Sequence, residues 1–285
     1  MKVVIGVDWS EDAFTAVQQV FQLYRPTEVA LAHGIDLGIF DYPMLAQAAS
    51  IQGYEDFVGA LTDAGRQVLD RAAGLLPAGF GAVKKINEVG HPVELIHRSA
   101  KTVQADLVVV GARGRSRLAE VFLGSVSHRV AMQADRATLI VKGAMKPVRR
   151  VLVAVEGQDD GIRIARWLTA YPFSHPVEVC VLNVLAPVGP ADPYDSAAFH
   201  EWSAAAKTAA EDAVKTAGAA LLSTHYTVST SVVTGDVAAA VAAEAKDRDL
   251  VVVASHGRHG VDRLLMGSVS HAILHRVAGS VLVVR

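Results

Sequence analysis

Short runs in which every residue is apolar alternate along this chain with longer stretches in which apolar residues recur at a helical period, and the cycle is completed twice. An unbroken apolar run suits a parallel strand covered on both faces, while recurrence near every 3.6 residues suits an amphipathic helix. Val3 to Val7 predicts the first strand. Ser10, with Glu11 and Asp12 behind it, supplies an N-cap and first-turn acids for a helix with Ala13, Val17, Val20 and Phe21 on one face. Glu28 to His33 predicts a second strand, residues 34–53 a loop containing Gly38 and Pro43, and Tyr54 to Leu76 a helix. Val83 to Val89 predicts a third strand, closed by Gly90-His91-Pro92, where a proline at the first helical position opens a helix with Val93, Ile96, Ala100 and Val103 on one face. A strand over Leu107 to Val110, a helix over Val121 to Gln133 and a strand over Ala137 to Val141 complete the first cycle. Residues 143–149, with Pro147, form a short linker, after which Val151 to Val155 restarts the cycle and Ser280 to Val284 closes it. Strands alternating with helices at this spacing predict two doubly wound (Rossmann-like) α/β domains, over residues 1–143 and 148–285.

The two cycles also share a motif, because segment 106–142 returns as 249–285. In the first copy Gly111-Ala112-Arg113-Gly114 is followed by nine residues and then Gly124-Ser125-Val126-Ser127-His128. The second copy has Ala254-Ser255-His256-Gly257, nine residues, and Gly267-Ser268-Val269-Ser270-His271. Ligands of open parallel sheets bind beyond the carboxyl ends of the strands, and the turn after Val110 lies at such an end. Gly111 and Gly114 permit positive φ and close backbone approach, so that successive amides can form an anion-binding nest. Gly124 and Ser125 open a helix whose uncommitted amides and positive end attract phosphate, with the Ser125 and Ser127 hydroxyls as further donors. Arg113, Arg115 and Arg117 lie inside the motif, which suits a small phosphorylated ligand better than a nucleic-acid backbone. A nucleotide polyphosphate is long enough to touch both places. Two other nucleotide-binding signatures do not occur: the first turn, Gly6-Val7-Asp8-Trp9-Ser10, is not the dinucleotide pattern Gly-x-Gly-x-x-Gly, and the chain has no P-loop pattern Gly-x4-Gly-Lys-Ser/Thr.

Composition narrows the setting. Hydrophobic residues at 51% and charged residues at 20% mark a folded chain, and a net charge of −2 gives no general attraction to nucleic acid or an anionic membrane. The single cysteine, Cys180, cannot close an internal disulfide, and no apolar run approaches the ~18 residues of a membrane span. The N-terminus begins directly with a strand, so cytoplasmic residence is expected. There is no Gly-x-Ser-x-Gly elbow and no nucleophile beside a base, so no catalytic residue is assigned. His256, His259, His271 and His275 crowd the second copy, but no carboxylate or cysteine completes a ligand set and His128 has no partner at position 132. They are taken as helix-surface residues, with no dedicated metal site.

With Gly-x2-Gly-x9-Gly-Ser at Gly111, Gly114, Gly124 and Ser125, a first strand ending at Asp8, a Gly90-x-Pro92 helix start and a valine-rich last strand, the chain resembles a tandem universal stress protein. The resemblance implies five parallel strands per domain in the order 3-2-1-4-5, and ATP as ligand; a magnesium or manganese ion carried by ATP is expected in preference to a dedicated metal site. It implies that Asp8 lies near the adenosine, that Gly111 and Gly114 line the ribose and phosphates, and that Gly124, Ser125 and Ser127, with Val126 between them, hold the phosphate tail. Backbone near His33 and Gly34 would face adenine. The second half departs from the pattern at Glu156, in the place of Asp8, and at Ala254, in the place of Gly111, while Gly257, Gly267, Ser268, Val269 and Ser270 are retained. ATP is therefore expected in the first domain and left open in the second. The implied role is a stress-response or signalling factor acting on a protein partner through nucleotide-dependent contacts; a nucleotide-free scaffold and a slow ATP hydrolase are two other readings. Thr138 to Val141 and Val281 to Val284 would each leave an exposed sheet edge. The resemblance implies that they pair in an intramolecular pseudo-dimer, with a homodimer as further association.

Overall fold

The computed structural model describes residues 1–38, 53–112, 123–187, 197–223, 225–255 and 266–285. These fall into two units, Met1–Met145 and Lys146–Arg285, called domains 1 and 2 below. Domain 1 runs β1 (Lys2–Gly6), α1 (Glu11–Leu23), β2 (Glu28–Ile35), α2 (Tyr54–Ala73), β3 (Val83–Val89), α3 (Pro92–Thr102), β4 (Leu107–Gly111), α4 (Ser125–Gln133) and β5 (Ala137–Val141). Domain 2 repeats the order with β6 (Arg150–Ala154), α5 (Gln158–Ala170), β7 (Val177–Leu185), α6 (Ala197–Leu221), β8 (Tyr226–Thr234), α7 (Val237–Glu244), β9 (Leu250–Ala254), α8 (Ser268–Arg276) and β10 (Ser280–Val284). Among the described residues no helix is long and apolar enough to cross a membrane.

Every strand pair within a domain is parallel. β1 lies between β2 and β4, with β3 outside β2 and β5 outside β4, giving the expected order 3-2-1-4-5. β6 likewise lies between β7 and β9, flanked in turn by β8 and β10. In β4, β5, β9 and β10 every residue is buried, so both sheet faces are covered there and the unbroken apolar runs are explained. Each such valine or leucine contributes about 1.5–3 kcal/mol through burial.

The repeated segments begin with an aspartate that fastens the first strand of its domain. The Asp106 carboxylate accepts the Lys2 amide at 2.7 Å, and that of Asp249 accepts the amides of Arg149 and Arg150, each at 2.9 Å. Burial raises the Asp249 carboxyl pKa, but these amides and Lys146 outweigh it and hold the group below its ordinary value.

Several boundaries follow from local hydrogen bonding. Ser10 caps α1 by accepting the Ala13 amide at 3.2 Å, and His91 caps α3 with Pro92 at the first helical position. α2 stops at Ala73, short of the expected Leu76, because the Leu75 and Leu76 amides turn back to Ala72 and Ala73 in tighter turns. α4 starts at Ser125, because the Gly124 amide bonds Ala112 O at 2.7 Å and Gly124 stays extended; the expected start at Val121 lies outside the described residues.

Candidate functional site

In each domain the strand order reverses beside the central strand, and there the carboxyl ends of two strands face the start of a helix. In domain 2 this is a cavity of about 520 Å³ at the ends of β6, β7 and β9. The sequence-predicted residues Glu156, Ala254, Gly267, Ser268, Val269 and Ser270 all line it. Its walls are apolar, formed by Val155, Leu182, Val184, Val237, Val241 and Val253.

One end of the cavity is the beginning of α8. The Gly267 N-cap has no side chain to bond the first amides, so among the described residues no side-chain cap meets those of Ser268, Val269 and Ser270 at the positive end of the helix. Three bonds hold this end against β9 and β10: Ser255 N to Val284 O at 2.9 Å, Gly267 N to Ser255 O at 2.8 Å, and Ser270 Oγ to Ala254 O at 2.8 Å. Domain 1 repeats them. Ala112 N donates to Val141 O and Gly124 N to Ala112 O, both at 2.7 Å, and Ser127 Oγ donates to Gly111 O. The second serine of each Gly-Ser-Val-Ser motif thus gives its hydroxyl proton to a strand-end carbonyl. The Ser127 and Ser270 hydroxyls anchor the helix start; for Ser127 this is a partner other than the phosphate expected from the sequence. Ser125 and Ser268 are exposed.

The other end carries carboxylates. In domain 1 Asp8 Oδ1 accepts the Ser10 amide at 2.9 Å and also the Ser10 hydroxyl, so one carboxylate oxygen is committed to the turn into α1. In domain 2 Glu156 is exposed at the cavity, while Asp160, in the first turn of α5, lines it at 8% exposure. Burial is the main cause of a raised Asp160 carboxyl pKa; Arg163, at 3.8 Å, and the Glu156 amide pull it back down, and the charges of Glu156 and Asp159 add to the rise.

The edge of the site is set by a polar residue on the second strand. His33 Nδ1 donates to Val7 O at 2.8 Å; in domain 2 Asn183 Nδ2 donates to Val155 O at 2.9 Å and to Glu156 O at 3.0 Å. The His33 ring therefore positions the turn that carries Asp8. Gly34 lies beside the start of α3, where a methyl group would come within 2.7 Å of Pro92 Cα. Sequence reasoning misses Asn183 and Asp160; a lone amide inside the apolar run Val177–Leu185 is the available signal for Asn183.

Of the two reasons expected for glycine at Gly111, positive φ and close backbone approach, the structure shows the second, toward α1. Gly111 is the last residue of β4 and its φ is not positive. A methyl group there would sit 2.5 Å from Asp12 C and 2.6 Å from Ala13 N, so the glycine admits the first turn of α1. At the corresponding place domain 2 has Ala254, and its α5 starts two residues after Glu156, whereas α1 starts three after Asp8. Arg113, Gly114, Arg115 and Gly257 lie outside the described residues.

Two doubly wound domains, each with strand ends facing the start of a Gly-Ser-Val-Ser helix, define a tandem α/β protein. The model of the Universal stress protein family matches residues 1–142 and 147–285, and the chain belongs to that family. It is 27% identical over 309 residues to universal stress protein Rv2005c of Mycobacterium tuberculosis, covering 99% of this chain and 96% of that protein. A universal stress protein from Archaeoglobus fulgidus has the same fold, with a TM-score of 0.57 at 18% identity over 100% of this chain and 96% of that one. A universal stress protein solved in complex with cAMP is 27% identical, with a TM-score of 0.33 over 51% of this chain and 98% of that one.

Proposed function

We propose that the protein binds an adenine nucleotide, ATP foremost, in the domain 2 cavity and at the corresponding place in domain 1, and acts in a stress response through nucleotide-dependent contacts with a protein partner. The observation that carries this reading is the cavity itself. Its volume of about 520 Å³ lies in the range of small-molecule sites, ~300–1,000 Å³. Phosphates would meet the amides of Ser268, Val269 and Ser270, a flat base would lie against Val184 and Val241, and ribose hydroxyls would donate to Glu156. Magnesium or manganese would arrive with the phosphates. In domain 1 Asp8 and the amides of Ser125, Val126 and Ser127 take the same roles, joined by Gly111, Arg113, Gly114 and Arg115.

The test is calorimetry with ATP, AMP and cyclic AMP on the whole chain. Val184→Phe fills the domain 2 cavity and should remove one site; Gly114→Ala with Ser125→Ala should remove the other. Undetectable binding to the wild type at millimolar nucleotide rejects the proposal.

A further inference from the structure

His271 and His275 stand one turn apart on α8, with ring centroids 4.6 Å apart and the rings inclined at 59°. Each offers a ring nitrogen, and these nitrogens lie within 4.8 Å of one another. Both residues are half-buried, and neither lines the domain 2 cavity, which α8 meets through Ser268, Val269, Ser270 and Ile273. The neighbouring cation, Arg276, is turned onto Asp236 at 2.6 Å, so its charge is held by a carboxylate. From these observations we infer that His271 and His275 form a chelating site for a borderline divalent transition-metal ion such as Zn²⁺, Ni²⁺ or Cu²⁺.

The chemistry follows from the geometry. A tetrahedral ion with metal–nitrogen bonds near ~2.0–2.1 Å needs its two nitrogens about 3.4 Å apart, which a modest turn of either ring achieves. Imidazole suits this class of ion, and hard cations such as magnesium prefer oxygen. Water completes the shell. The ion would bridge residues four apart and clip a helix of only nine residues, the one whose first amides face the cavity. Domain 1 lacks the pair: His128 takes the place of His271 on α4, but Met132 stands where α8 has His275. His271 and His275 are thus more than the plain helix-surface residues their spacing alone suggests, and their site is independent of nucleotide binding.

The experiment is titration of Zn²⁺, Ni²⁺ and Mg²⁺ into the untagged full chain without nucleotide, followed by calorimetry and thermal unfolding. Zn²⁺ and Ni²⁺ are expected to bind one per chain, and at a hundredfold excess over Kd to raise the unfolding midpoint of domain 2 by about 5–10 °C. Mg²⁺ should have no effect. His275→Met, which installs the residue domain 1 carries, and His271→Ala should each abolish the response while the far-ultraviolet circular dichroism is unchanged. Absence of Zn²⁺ and Ni²⁺ binding at millimolar metal overturns the site, and so does binding that survives both substitutions.

Discussion

Replacing Gly111 by alanine tests how the end of β4 is built. The added methyl group would lie 2.5 Å from Asp12 C, 2.6 Å from Ala13 N and 2.7 Å from Asp12 O. Carbon atoms settle ~3.5–4.0 Å apart, so α1 or β4 must move by about 1 Å. All three atoms are backbone in a turn pinned by the Ser10 cap and by Asp8, so no side-chain rotation relieves the overlap. Overpacking of this kind costs about 1–3 kcal/mol, which for a domain of this size lowers the unfolding midpoint by about 3–10 °C. Trp9 is the only tryptophan of domain 1, so heating a Trp167→Phe/Trp202→Phe chain while following its fluorescence isolates that domain. The reciprocal Ala254→Gly should cost only about 0.5–1 kcal/mol, the ordinary penalty for glycine within a strand. A Gly111→Ala midpoint equal to or above its parent would refute the close-approach explanation.

Three further outcomes follow from particular groups. Ser270→Ala removes the bond to Ala254 O, and should cost about 1 kcal/mol in domain 2 stability and weaken ATP binding there by a severalfold increase in Kd, measured by calorimetry. Asp249→Ala frees the amides of Arg149 and Arg150 and should destabilise domain 2 by about 1–3 kcal/mol in urea at pH 7. Because the folded Asp249 pKa is lowered, its contribution is present above the ordinary aspartate value and is lost as pH falls through the lower folded value, so the gap between variant and wild type should close in acid. Asp160 has the opposite sign: its folded pKa is raised, so its stabilisation is full below the ordinary aspartate value and is lost as pH rises through the folded value. Asp160→Asn, which keeps an acceptor for the Glu156 amide, should therefore be more stable than wild type at pH 7, with the advantage vanishing as pH falls into the range where Asp160 is protonated; denaturant midpoints across that range check this.

Strands such as β4 and β5 are legible in the sequence because their burial is complete, and a run such as Leu107 to Val110 has no other economical reading. Helix starts at Ser10 and Pro92 are legible because cap chemistry is local. The role of Ser127 is not, since its hydroxyl partner, Gly111 O, lies 16 residues away and only the folded turn brings them together. Asn183 is similar, with its acceptor 28 residues distant at Val155. Gly111 illustrates a further limit: a glycine looks the same in a sequence whether it serves a positive φ or a close approach. Some lining positions of the domain 2 cavity differ in pairs from their domain 1 counterparts, with no local sign. In domain 1 Ile96 fills the space beside Gly6, where a methyl group would meet its Cδ1 at 2.5 Å; in domain 2 those places hold Ala154 and Val241, both lining the cavity.

The proposed nucleotide site of domain 2 lies between the ends of β6, β7 and β9 and the start of α8. An ATP titration of the whole chain carrying Gly114→Ala and Ser125→Ala probes it directly, because only domain 2 can then respond. One ATP bound per chain, lost on adding Val184→Phe, is the expected result. No binding by that chain, or binding indifferent to Val184→Phe, would contradict it.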